Sequence, residues 1–120
     1  MTLAVKTSVL LVVSSDPRNS PRPAEAVRIA AGVRAWGKVE VTVYLRDAAV
    51  LALGEFADDL IDGENFERYL PLVVESGGAV FVQRDAPLLK ELGDTRLPLK
   101  PLDDAQFAEL ASGSRSVIRF

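Results

Sequence analysis

Three features of the sequence predict an α/β domain in which a parallel sheet lies between helical layers. Short apolar runs rich in β-branched residues alternate with segments of helical periodicity, the pattern of βαβ units. The first and third of these runs, around 7–13 and 79–82, are almost continuously apolar, as in strands covered on both faces. The chain has 120 residues, 48% of them hydrophobic, with a net charge of −3. That length suits one domain, 1–120, and the composition is too apolar for disorder.

The elements follow in order. Thr7 to Val13 reads as a buried strand that stops at Ser14-Ser15-Asp16-Pro17, and the loop 14–22 is irregular and exposed. The apolar run Val9–Val13 has five residues, one early cation (Lys6), and no small-x-small sequence after it. It therefore reads as a strand rather than a targeting segment or membrane span. Pro23 suits the first turn of a helix, and Ala26, Ile29, Ala30 and Val33 follow at helical spacing up to Trp36-Gly37. Val39 to Leu45 alternates, with Glu40, Thr42 and Tyr44 on the wetter face, which predicts a strand near a sheet edge. Asp47 is expected to cap a short helix, 48–53. Phe66, Tyr69, Leu70 and Val73 predict a helix over 65–76, with Pro71 kinking it or delaying its start, and Gly77-Gly78 ending it.

Ala79 to Val82 is the next buried strand. Asp85 is expected to cap a helix through Leu92, with Pro87 in its first turn and Gly93 as its stop. Leu97-Pro98-Leu99 reads as a short strand, Asp103 or Asp104 as the start of a helix to Leu110, and Ser116 to Phe120 as the last strand.

Composition excludes several chemistries. There is no cysteine and no histidine, so this chain has no thiol, zinc-thiolate or imidazole catalysis of its own. Absence of disulfides fits a cytoplasmic protein. A pI near 4.9 with scattered Arg and Lys predicts neither nucleic-acid nor membrane binding. Asp58, Asp59 and Asp62 lack the glycine and glutamate of a calcium loop and read as a solvated acidic loop, so no metal is expected. No G-x-G-x-x-G, P-loop or G-x-S-x-G motif occurs, and no cofactor is expected. A phosphoreceiver needs acidic residues after the first strand and at the end of the third; Ser14-Ser15 and Gln83 stand there instead. Trp36, near a helix end, reads as packing rather than a stacking platform.

Topology then places a candidate site. Ligands of doubly wound sheets bind beyond the carboxyl ends of the strands, where strand order reverses. With the order 2-1-3-4-5, the crevice would lie between the loops after strands one and three. Ser14, Ser15, Asp16, Asn19, Gln83, Arg84 and Asp85 are the candidate ligand-binding residues, with Arg18 and Arg22 adding charge for a small anion or metabolite. No residue is assigned a catalytic role. The plainer reading of these serines, asparagine and aspartates is turn and cap chemistry.

The run Leu10 to Pro17, the segment Ala26 to Gly37, and Val39 to Val50 resemble the DsrE/DsrF-like sulfur-relay family. Gly78 through Val80-Phe81-Val82-Gln83-Arg84-Asp85, Leu92-Gly93, Phe107, Leu110 and Val117-Ile118 are similar to its DsrH (TusB) branch. The resemblance implies a flavodoxin-like, DsrE-like fold, homo-oligomers (trimers or hexamers) or hetero-oligomers with related subunits, and sulfur carried as a cysteine persulfide. The family's sulfur-carrying cysteine follows the third strand, where this chain has Gln83-Arg84. The resemblance therefore implies a non-catalytic binding or scaffold subunit. The alternative is a small-molecule or anion sensor using the crevice described above.

Overall fold

A computed structural model describes residues 7–95 and 97–120; Lys6 lies outside them. Five parallel strands form one sheet: β1 (Thr7–Val13), β2 (Val39–Leu45), β3 (Ala79–Gln83), β4 (Pro101–Leu102) and β5 (Ser116–Arg119). Helices α1 (Arg22–Ala35) and α2 (Glu64–Glu75) cover one face, and α3 (Asp104–Gly113) lies on the other. The predicted three-layer α/β class is the observed one.

The strand order is β4-β3-β2-β1-β5, not 2-1-3-4-5. β1 pairs with β2 and β5, and β3 pairs with β2. Two expectations fall with this. β2 is the central strand rather than one near an edge, and β1 and β3 are not neighbours. Alternation along β2 misled because its second face, exposed at Glu40 and half-buried at Thr42, is covered at Tyr44. Tyr44 on that face is buried, stacked on Phe107 of α3 with ring centroids 4.3 Å apart.

Register explains the two cores. In a parallel pair, partnered residues share a face, so Leu11, Val13, Val43, Leu45 and Val82 line the α1/α2 side. Leu10, Val12 and Tyr44 form the smaller core under α3, with half-buried Phe81, Leu102, Phe107 and Leu110 around them. The helix α1 buries Ala24, Ala26, Val27, Ala30 and Ala31. These small side chains let its backbone approach the sheet and α2 closely. α2 runs through Pro71 without ending. Burial of Phe66, Leu70 and Val73 offsets the roughly 3 kcal/mol that an interior proline costs.

Local corrections cluster in the loops. Residues 47–53 and 87–91 are 3-10 helices, and neither Asp47 nor Asp85 caps them. The N-cap positions belong to Arg46 and Ala86, which make no side-chain cap bond. Asp47 itself has a φ of 52°, a left-handed conformation that aspartate tolerates better than most residues. The fourth strand is Pro101–Leu102, after the predicted Leu97–Leu99. Asp103 does cap α3: its carboxylate accepts from the Gln106 amide at 2.8 Å, and the Gln106 side chain accepts from the Asp103 amide at 2.9 Å. Trp36 is 66% exposed, so it packs in no core of this chain.

The second core rests on one aromatic pair. Phe107→Ala should lower stability by about 2–3 kcal/mol, read as a reduced urea midpoint. Phe107→Leu should cost less than half of that, because most of the cover over Tyr44 remains.

Candidate functional site

All strands are parallel, so their carboxyl ends share one end of the sheet, in the order β4-β3-β2-β1-β5. The direction of winding reverses between β1 and β5, which is where a doubly wound sheet would open a crevice. Here that gap is closed by backbone. The amides of Ser14 and Ser15 both donate to the Phe120 carbonyl, at 3.0 and 3.4 Å, and the Phe120 amide donates to Val12 at 2.8 Å. Arg22 reaches over from α1, donating to the Arg119 carbonyl at 3.3 Å with its guanidinium 5.9 Å from the Phe120 ring centre.

Asp16 and Asn19 build the turn that follows. The Asn19 amide donates to the Asp16 carbonyl, and the Arg18 guanidinium binds the Asp16 carboxylate through both Nε and Nη2. That hydrogen bond from Arg18 holds the Asp16 carboxyl below its ordinary pKa of 3.8, against a smaller opposing effect of burial. Arg18 also borders a 330 Å³ groove whose apolar wall includes Leu51, Phe56, Leu60 and Leu92. Asp59 and Glu91 stand at its edge.

Gln83 and its neighbours lie beyond β2. The turn after β2 ties the two regions together: the Arg46 amide donates to Val13 of β1 at 3.0 Å. One residue on, the Asp47 amide donates to the Gln83 side-chain carbonyl at 2.8 Å. Gln83 thus braces the left-handed turn at Asp47. Arg84 and Asp85 point elsewhere, into an open 400 Å³ depression shared with Asp103 and Asp104. The seven candidate residues therefore do not line one crevice. Ser14, Ser15, Asp16 and Asn19 close and shape the β1 end; Gln83 supports the β2 turn; Arg84 and Asp85 flank the start of α3.

Electrostatics at both places disfavours an anion. In the depression, one guanidinium faces three carboxylates. In the groove, Arg18 is already held by Asp16 and has Asp59 and Glu91 beside it. Among the described residues, no group of three or more acidic, cysteine or histidine side chains is arranged to hold a metal ion. No helix among them is long and apolar enough to cross a membrane.

No protein-family model matches the sequence, and no curated protein matches it. Among solved structures, the crystal structure of the YchN protein from E. coli superposes with a TM-score of 0.74. The two sequences are 17% identical, and the match covers 95% of this chain and 99% of the other. The fold is DsrE-like. That agrees with the fold implied by the sequence resemblance, and the match runs over nearly all of both chains.

Sequence reasoning singled out Gln83 but missed its partner Asp47. The usable signal was Arg46-Asp47 directly after a strand, since aspartate is common both at caps and in left-handed turns.

Gln83→Leu should lower stability by about 1 kcal/mol, measured by denaturant unfolding, because the Asp47 N–H loses its acceptor. Asp47→Gly in that background should recover part of the loss, since glycine adopts positive φ without strain. The Asp16–Arg18 pair gives a pH signature. Its contribution is complete above pH 3.8, the ordinary carboxyl value, and disappears as pH falls through the lower folded-state value. Wild type should therefore be more stable than Asp16→Asn at neutral pH, and the two should converge at low pH.

Proposed function

We propose that this chain is a non-catalytic DsrE-like subunit, a binding or scaffold component of an oligomer, with sulfur handling as its setting. One observation carries the reading. The end of β3, next to where the resembled family has its sulfur-carrying thiol, holds Gln83, whose side-chain carbonyl is committed to the Asp47 amide. Neither Gln83 nor Arg84 supplies a sulfur nucleophile. What remains at that position is a structural brace.

The surface supports association. Trp36, Phe56, Leu72 and Ile118 are large apolar side chains left between 45% and 66% exposed. The association expected from the resemblance is a trimer or hexamer of identical chains, or a complex with related subunits. Acidic surroundings of Arg18 and Arg84 favour this reading over an anion sensor.

Size-exclusion chromatography with light scattering tests it. At micromolar concentration the chain should elute as a multiple of 13.0 kDa; a strict monomer at every concentration would overturn the homo-oligomer. Incubated alone with a persulfide donor, the chain should retain no cyanide-labile sulfur.

A further inference from the structure

The two edges of the sheet differ in a way that bears on assembly. A strand edge is an open row of donors and acceptors, and folded proteins usually blunt it. On β4 the outward donor is missing. The Lys100 and Leu102 carbonyls face β3, accepting from Val82 and Arg84, so Pro101 is the residue that faces outward, and proline has no N–H. β4 is also only two residues long.

The other edge, β5, has no proline and lies open along Ser116–Arg119, where every residue is exposed. Phe120 exchanges backbone bonds with Val12 of β1 and with Ser14 just after it. Backbone groups alternate in direction along a strand, so Ile118 and Ser116 also face β1, and Val117 and Arg119 present their N–H and C=O groups outward. Arg22 touches the Arg119 carbonyl at 3.3 Å, which leaves that oxygen a second lone pair. Among the described residues, no strand pairs with this side of β5.

Building on the oligomeric reading above, we infer that β5 is the contact with a second copy of the chain. The two strands pair antiparallel about a two-fold axis at Ile118 and join two sheets into one of ten strands. Charge selects this register. Outward-facing residues must pair with outward-facing residues, so the axis passes through a residue, and only Val117, Ile118 or Arg119 forms such a pair within Ser116–Arg119. An axis at Val117 sets Arg115 opposite Arg119 of the other copy. An axis at Arg119 sets that arginine against itself. Like charges directly opposite are destabilising.

The axis at Ile118 avoids both. Val117 and Arg119 exchange hydrogen bonds with Arg119 and Val117 of the other copy, and Ser116 lies opposite Phe120. Ile118, 45% exposed in the single chain, meets its own copy across the axis. A contact of this kind forms a dimer directly, or joins two trimers into a hexamer.

A chain without native cysteine makes the test direct. In the inferred register, Ile118 and its copy form a non-hydrogen-bonded pair with Cα atoms about 4.5 Å apart, within the roughly 4.4–6.8 Å that a disulfide spans. Under mild oxidation, full-length Ile118→Cys should become a disulfide-linked dimer nearly completely, whereas Val117→Cys should cross-link at least fivefold more slowly. Val117→Pro removes an outward donor without touching the bonds to β1, and should weaken self-association at least tenfold while circular dichroism stays unchanged. Preferential cross-linking of Val117→Cys would overturn the register. A wild-type oligomer that survives Val117→Pro, with no cross-linking of Ile118→Cys, would overturn the β5 contact and leave the oligomeric reading standing. A monomer in every measurement would overturn both the β5 contact and the homo-oligomer.

Discussion

The structure depends on β1. Leu10, Leu11, Val12 and Val13 are each at most 2% exposed, with hydrogen-bonded strands on both sides and side chains buried on both faces. An apolar strand in that position cannot face water anywhere, so the chain must supply two neighbours and two layers. β2 and β5 are the neighbours; α1 and α3 head the layers. The large core on the α1 side and the small one around Tyr44 and Phe107 both include β1 residues. Loss of either cover would leave part of the same strand exposed.

From that strand the arrangement of the carboxyl end follows. Each turn leaving the sheet is tied to the next strand: Ser14 and Ser15 to Phe120, Arg46 to Val13, Asp47 to Gln83, Arg84 to Leu102. The end of the sheet that holds ligands in many parallel α/β folds is thus braced by its own backbone and by one glutamine. The backbone amides of Ser14, Ser15, Arg46, Asp47 and Arg84 there already have partners. The outer side of β5 is a sheet edge with no paired strand among the described residues, and the chain has no thiol after β3.

Much of the fold was legible because periodicity is local. The run at 7–13, the face Ala26-Ala30 of α1, the helix around Phe66-Leu70-Val73, and the Asp103 cap are set by residues within a few positions of each other. Strand order is not local. Val39 to Leu45 has the same pattern whether it stands at an edge or in the centre, and only the arrival of Phe107, more than sixty residues later in the sequence, decides that Tyr44 is buried. The single crevice between the loops after strands one and three was inferred from strand order and so fell with it. Its residues proved informative one at a time: Gln83 is special, but as the acceptor for Asp47. Aspartates 47 and 85 were misread as caps because the same short carboxylate suits caps and turns alike.

Residue-resolved amide hydrogen exchange tests the pairing of β1 on both sides most directly. The amides of Leu10 to Val13 should all exchange slowly, at the free energy of global unfolding and without alternation along the strand. A pattern in which every second amide of this strand exchanges rapidly would mean that one of its sides is unpaired, and would contradict the account.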